Sequence, residues 1–184
     1  MKEIFRKKMI ELYQDVPAGV YEGLLYTLCI GALLLLAVLG VKKGLRYTAG
    51  LMLVEYVFML FCSTLYFRQS VESRGYDFTP FWSYKAIQEG KAELLPENIM
   101  NVVVFVPVGL LLGCVFRNMS CLRVLLFGAA ISISIEALQY FYHRGFAETD
   151  DVMHNTVGCL MGYGVFLAIH GLWNKVHSNT SVEV

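Results

Sequence analysis

The strongest constraint on this chain is a series of five predominantly apolar blocks joined by polar connections. The blocks cover about residues 20–41, 48–67, 99–116, 121–142 and 152–173. A block of about 20 apolar residues has the length of a helix that crosses the hydrocarbon core of a bilayer. Of all residues, 57% are hydrophobic and 16% are charged, whereas soluble domains carry about 25% charged residues. The sequence therefore predicts an all-α, polytopic membrane bundle with about five transmembrane helices.

The blocks indicate one bundle domain over residues 20–175, followed by a tail at 176–184. Residues 1–19 precede it, with apolar residues at near-helical spacing and Lys and Glu between them. This pattern predicts an amphipathic juxtamembrane segment that lies on the membrane surface. Residues 68–98 form the only long loop and contain several aromatic residues, which favour the headgroup level.

Polar residues are concentrated at one face of the predicted bundle. Five spans place alternate connections on alternate sides, so residues 1–19, 68–98 and 143–151 share a face, and four helix ends meet there. Ionisable groups in or beside a membrane span are costly and by default indicate a functional site. The candidate ligand-binding residues are Arg68, Trp82, Asn98, Asn101, Glu136, Gln139, Arg144, Asp150, Asp151 and Asn155.

Residue spacing predicts how these side chains meet. Glu136 and Gln139 are three residues apart and Asp151 and Asn155 are four apart, so each pair shares a helix face. The third span has Gly109 and Gly113, and the fifth has Gly158 and Gly162, which are small-xxx-small patterns that allow close helix approach. Close packing at these glycines would bring Asn101, Glu136 and Asp151 together.

Two interpretations of the patch stay open. Arg144 is the expected counter-charge for the acids, with Arg68 as the second candidate, because a guanidinium pairs bidentately with a carboxylate. The patch is then either a ligand site or a buried ion-pair network that fixes helix register. The asparagines could equally cap helix starts or bond across helices. Glu136 and Asp151 are the candidates for a general acid or base, although the sequence specifies no reaction.

Other classes of site find little support. Net charge is zero, and no basic groove predicts nucleic-acid binding. The five cysteines show no CxxC spacing, so we expect small buried side chains. Asp150 and His154 have i, i+4 ligand spacing, but no zinc motif accompanies them. We therefore predict no metal and no cofactor.

Short loops with excess Lys and Arg are normally cytoplasmic. The connections 42–47 and 117–120 are basic, which favours a patch on the extracellular side of the membrane. The basic residues near the N-terminus favour the opposite orientation.

Three segments resemble the VanZ-like family of bacterial membrane proteins: 77–84 (DFTPFWSY), 97–113 (ENIMNVVVFVPVGLLLG) and the region 132–163. The resemblance covers about residues 60–165. A family element of the type N-x-x-F-x-P-x-G is carried, with its Phe one residue later, by Asn101, Phe105, Pro107 and Gly109.

Three further family elements follow along the chain. They are an E-x-x-Q pair, an arginine and an acidic pair with N-x-x-G, carried by Glu136, Gln139, Arg144, Asp150, Asp151, Asn155 and Gly158. The loop element of the family departs from its usual pattern here. Asp77 and Phe78 stand where Asn and Leu are common, while Pro80 and Phe81 are kept.

The resemblance implies a cell-envelope role. The family's founding member is linked to low-level resistance to teicoplanin and related lipoglycopeptides without a change in the peptidoglycan precursor. The leading hypothesis is an outer-face polar pocket that binds a membrane lipid, an envelope precursor or the antibiotic. In it, Arg68 and Arg144 would hold an anionic group, Asp150 and Asp151 a cationic or hydroxylated one, and Trp82 and Phe81 would cover the site.

Three other functions remain as alternatives. One is an integral-membrane enzyme acting on a lipid-linked substrate, with Glu136 or Asp151 as general base. A transporter is disfavoured because no inverted repeat is visible. A purely structural or partner-binding role predicts tolerance of conservative changes in the patch.

Overall fold

A computed structural model describes residues 16–70 and 75–180. Its first helical stretch, Ala18–Phe61, bends at Gly40 and continues into a π-helical turn, Cys62–Tyr66. It thereby forms two spans, α1 (Ala18–Val41) and α2 (Lys43–Tyr66). The remaining elements are β1 (Gly75–Asp77), α3 (Trp82–Gln88), α4 (Leu94–Val115), α5 (Cys121–Phe141), β2 (Phe146–Glu148) and α6 (Thr149–Thr180). Most of the predicted amphipathic segment, residues 1–15, lies outside the described residues.

The predicted helical membrane fold is confirmed. Five helices, α1, α2, α4, α5 and α6, are long and apolar enough to cross a membrane. Four of them begin earlier than the apolar blocks indicated, most clearly α2 at Lys43, α4 at Leu94 and α6 at Thr149. Hydropathy missed these first turns because they contain polar and charged residues.

The first two spans form a hairpin around Gly40. Its backbone has φ 72° and ψ 168°, a conformation that glycine adopts without steric cost. Within the hairpin the Thr27 hydroxyl donates a hydrogen bond of 2.6 Å to Glu55 Oε1. Glu55, an acidic residue inside α2, is therefore hydrogen-bonded to α1.

The core lies between α2, α4, α5 and α6. Its largest fully buried side chains include Leu60, Phe105, Leu112 and Val124. Cys62 and Cys159 are buried, but Cys29 and Cys121 are exposed. The prediction of buried cysteines was wrong for these last two, which lie on helix surfaces that are exposed among the described residues.

Helices α4 and α6 make the closest contact in the bundle. A Cβ added at Gly109 would meet the Cys159 carbonyl, and one at Gly158 or Gly162 would meet the Val102 or Val106 carbonyl. The backbones approach so closely because these glycines have no side chain. The predicted small-residue packing is thus present, and it sets the distance between the two helices that carry Asn101 and Asp151.

One feature was not predicted. Strands β1 and β2 pair in parallel, with Gly75 opposite Phe146 and Asp77 opposite Glu148. The pair joins the long loop after α2 to the connection between α5 and α6. Strands of three residues carry too little alternation to be recognised from sequence.

Matched glycine substitutions test the α4–α6 contact. We expect Gly158→Ala to lower the thermal stability of the detergent-solubilised protein, because overpacking typically costs about 1–3 kcal/mol. Gly164→Ala, on the same helix with open space around its Cβ position, should be neutral or stabilising, since Ala favours helix by about 1 kcal/mol. Equal melting curves for the two variants would contradict the packing described above.

Candidate functional site

A polar cavity of about 430 Å³ opens where α2, α4, α5 and α6 meet. The end of α2, the starts of α3, α4 and α6, the end of α5 and strand β2 contribute to its wall. The predicted convergence of helix ends is therefore present in the structure. Its lining residues are Ser63, Thr64, Arg68, Trp82, Ser83, Leu94, Glu97, Asn98, Met100, Asn101, Gln139, Phe146, Glu148 and Asp151.

A smaller chamber of about 80 Å³ lies deeper between the helices. Arg68, Asn101, Gln139 and Asp151 line both spaces, so the chamber adjoins the cavity. Glu136 lines the chamber and accepts a hydrogen bond of 3.1 Å from the Glu148 N–H. Asn101 donates to Asp151 at 2.6 Å. The predicted grouping of Asn101, Glu136 and Asp151 is thus observed.

The cation of the site is Arg68. Its positive charge acts on both Glu136 and Asp151, and its guanidinium lies beside Gly145. The expectation that Arg144 is the main counter-charge was wrong, because the Arg144 guanidinium donates instead to the Arg68 carbonyl. Arg144 does not line the cavity or the chamber. Its hydrogen bond links the end of α5 to the backbone of Arg68.

The end of α5 explains the placement of Arg144. His143 has φ 56°, a left-handed residue just past the helix. The Arg144 N–H then bonds the Gln139 carbonyl at 2.8 Å, which is the hydrogen bond of a Schellman C-cap. This turn sends the Arg144 side chain towards residue 68 rather than into the cavity.

Asn155 leaves one polar atom without a partner. Its Nδ2 donates to Ser132 Oγ at 2.8 Å, but its Oδ1 is buried and has no hydrogen-bond partner among the described residues. Asn155 lines the inner chamber. Because a buried acceptor normally has a donor, the chamber is suited to a group that carries N–H or O–H.

Asp150 anchors the long loop. Its Oδ1 accepts from the Phe81 N–H at 2.6 Å, and its Oδ2 accepts from the N–H and hydroxyl of Ser83 at 3.0 and 2.6 Å. Asn98 donates to the same Ser83 hydroxyl at 3.0 Å. Asp150 lies outside both cavity linings, so its role as a ligand-binding residue stays a prediction that this geometry does not support.

The anchor also holds a strained residue. Phe81 adopts φ 63° immediately before α3, a left-handed conformation that costs a non-glycine residue about 1–2 kcal/mol. Tyr84 OH and His154 Nε2, 2.8 Å apart, make a second link between α3 and α6. These contacts place Trp82 in the cavity wall.

The asparagines do not cap helix starts. Asn98 and Asn101 lie inside α4, and Asn155 lies inside α6. Each donates a side-chain hydrogen bond to another helix. The cross-helix interpretation is therefore correct for all three.

Glu148 is a site residue that the sequence analysis missed. Burial raises its pKa to about 7, and the Asp151, Glu97 and Asp77 carboxyls add to the shift. The indole N–H of Trp82 faces Glu148 and lowers the pKa of its carboxyl group. Among the described residues, this N–H makes no hydrogen bond of ordinary length and angle. Glu97 and Ser83 were also missed. Glu97 lies in the first turn of α4, and Ser83 lies in α3, within the loop predicted at residues 68–98. Charged and hydroxyl residues in such regions normally indicate only a solvated surface.

Within the described residues, no group of three or more His, Cys, Asp or Glu side chains is suited to hold a metal ion. The polar groups that line the site include amide, hydroxyl, carboxyl and guanidinium groups. Together they can hold a polar ligand that carries both donors and acceptors.

Comparison with known proteins decides the family. The family described as VanZ/LLP1 matches residues 47–170. The chain belongs to the VanZ-like family. Protein VanZ of Enterococcus faecium is 37% identical to it over 83 residues, which are 45% of this chain and 48% of that relative. The match thus spans about half the length of the relative. No solved structure matches the chain.

The VanZ/LLP1 match contains every predicted site residue, from Arg68 to Asn155. Span α1 lies before it. The family membership and the five apolar helices identify a multi-pass membrane protein. The cavity described above is therefore built from the part of the chain that carries the VanZ-like sequence.

The Asp150 anchor predicts a large effect of its removal. Asp150→Ala leaves the Phe81 N–H and the Ser83 N–H without their acceptor, and an unsatisfied buried donor costs about 1–3 kcal/mol. We expect a lower unfolding temperature and faster proteolysis within residues 68–98. Asp77→Ala removes only a local bond to the Thr79 N–H and is the control. Equal protease resistance of the two variants would contradict the anchoring role.

The raised pKa of Glu148 predicts a pH-dependent stability. Because the folded-state pKa is about 7 and the ordinary value is 4.5, the folded state binds more protons between these values. Stability should therefore fall as the pH rises from 4.5 to about 7. Glu148→Gln should weaken this dependence and raise the melting temperature at pH 8. Glu89→Gln, on the exposed surface, should leave it unchanged; a Glu148→Gln curve like that of wild type would refute the assignment.

Proposed function

We propose that this protein acts in the bacterial cell envelope and lowers susceptibility to teicoplanin and related lipoglycopeptides. The observation that carries the proposal is the convergence of six polar residues of the VanZ-like region on one cavity and its inner chamber. They lie up to 87 positions apart, yet they line these two adjoining spaces: Arg68, Asn101, Glu136, Gln139, Asp151 and Asn155. A function confined to membrane anchoring would not require this arrangement.

The proposed location is the bacterial cytoplasmic membrane, with the cavity on the extracellular side. At the opposite end of the bundle, Arg46 donates to the Val115 carbonyl at the end of α4 with a distance of 2.7 Å. Arg117 belongs to the connection at the same end, and Arg123 lies in the first turn of α5. Basic residues in short loops favour the cytoplasmic side, which supports this orientation.

The ligand in this proposal is a membrane lipid, an envelope precursor or the antibiotic itself. Arg68 would contact an anionic group, since guanidinium groups bind phosphate and carboxylate well. Asp151 and Glu136 would contact a cationic or hydroxylated group, and Trp82 would cover it. Occupation of the cavity would change the access of the antibiotic to the cell surface.

A second candidate is an integral-membrane enzyme that modifies a lipid-linked envelope substrate. The observation in its favour is the position of Glu136, a buried carboxyl in the wall of the inner chamber. Glu136 or Asp151 would serve as general base. Under this alternative, Glu136→Gln abolishes function while folding and ligand binding survive.

A teicoplanin susceptibility assay tests the proposal in a sensitive Gram-positive host. It compares wild type with Arg68→Ala, Glu136→Gln and Asp151→Asn at equal membrane levels. We expect wild type to protect and the variants to lose most protection, because a lost charge-assisted hydrogen bond weakens binding by roughly tenfold or more.

Glu89→Gln is the matched control, because Glu89 is exposed and lies outside the cavity lining. It should protect like wild type. If the three cavity variants also protect like wild type, the cavity is not the functional site. If wild type gives no protection, the proposed role in lipoglycopeptide susceptibility is wrong.

A further inference from the structure

An apolar groove adjoins the polar cavity on the side of α5 and α6. It has a volume of about 450 Å³, and its surface is almost entirely apolar. Ile133 and Phe141, which are 55% and 64% exposed, lie on α5 and contribute to it. Because α5 is long and apolar enough to cross a membrane, this groove faces the lipid region.

Two carboxyl residues border both the groove and the polar spaces. Glu136 lines both the groove and the inner chamber, and Glu148 lines both the groove and the cavity. The polar and apolar spaces therefore adjoin at these two residues. A molecule that occupies both must have a polar head and an apolar chain.

The charge of the polar part indicates what kind of head fits. Among the described lining residues of the cavity and chamber, one side chain, Arg68, is a guanidinium. Those with carboxyl groups are Glu97, Glu136, Glu148 and Asp151. A head with a protonated amine next to a phosphate matches this set, because Arg68 can bind the phosphate and the carboxyl groups attract the ammonium.

The buried acceptor of Asn155 supports the same head independently. Asn155 is 5% exposed, its Oδ1 has no partner in the described part of the chain, and it lines the inner chamber. An ammonium N–H donates to such an oxygen, whereas a trimethylated ammonium has no N–H. The chamber of about 80 Å³ has room for a small group but not for a sugar chain or a peptide.

We propose that the cavity, the inner chamber and the groove form one binding site for a membrane lipid whose headgroup carries a primary ammonium next to a phosphate. The ammonium lies in the chamber between Glu136, Asp151 and Asn155 Oδ1. The phosphate contacts Arg68, and an acyl chain lies in the groove along Ile133 and Ala137. This inference rests on the proposed function, since it names the ligand of the same site.

Lipid retention measured by native mass spectrometry tests the inference. The full chain is reconstituted in nanodiscs with equal amounts of dioleoyl phosphatidylethanolamine, phosphatidylglycerol and phosphatidylcholine, and the retained lipids are counted after release. We expect the ethanolamine lipid to be retained over the other two. Glu136→Gln should reduce that preference by roughly tenfold, as expected for the loss of one charge-assisted hydrogen bond.

Two tryptophan substitutions on α5 test the groove. Ala137→Trp fills it and should abolish lipid retention, while Ala130→Trp, an exposed alanine outside the groove, should leave retention unchanged. If Ala137→Trp does not give a monodisperse protein, Ile133→Trp replaces it. Equal retention of the three lipids by the wild type would overturn the inference. Unchanged lipid retention in the groove variant would also overturn it.

The result is separable from that of the susceptibility assay. If the cavity variants lose protection but the protein shows no preference for the ammonium lipid, the proposed function stands and the ligand assignment fails. If the preference is present but wild type gives no teicoplanin protection, the lipid site stands and the proposed cellular role fails.

Discussion

The backbone contact between α4 and α6 is the interaction on which the rest of this structure depends. At Gly109, Gly158 and Gly162 the helices are too close to admit a Cβ atom. In a bilayer, helix association gains little from the hydrophobic effect and depends on such packing and on interhelical hydrogen bonds. The Asn101–Asp151 bond of 2.6 Å is the polar counterpart of this contact, two turns from Gly109 along α4. Together they fix the depth and width of the cavity.

Much of this architecture is readable from the sequence, because its signals are strong and local. Blocks of apolar residues have a length set by the bilayer, and the glycine pairs occur at helical spacing. The blocks predicted the five spans, and the glycine pairs predicted the close approach of α4 and α6. The grouping of Glu136 with Asp151 follows from the same logic, since alternate connections must lie on alternate faces. The helix starts were less well predicted, because the first turns of α4 and α6 carry polar residues such as Glu97 and Asp150 that lower the local hydropathy.

The sequence could not indicate which of several possible partners each polar side chain contacts. Arg68 and Arg144 look equivalent in a list of charges. The left-handed turn at His143 directs the Arg144 side chain so that it donates a hydrogen bond to the carbonyl of Arg68. Of the two arginines, Arg68 is the one that lines the cavity. Asp150 and Asp151 are neighbours on a helix and therefore point in different directions. One anchors the start of α3, and the other lines the cavity. Backbone turns of this kind depend on tertiary contacts that no local pattern records.

The parallel pairing of β1 and β2 has a consequence for the composition of the cavity wall. Residues along a strand alternate between its two faces. In the observed register Asp77 is opposite Glu148, Ala147 is buried, and Glu148 lines the cavity. A shift of the pairing by one residue would reverse these faces and remove a carboxyl group from the wall. The three-residue pairing thus determines whether Glu148 joins the other carboxyl groups of the cavity wall. The loop after α2, which already supplies Arg68, therefore also affects the site through its alignment with β2.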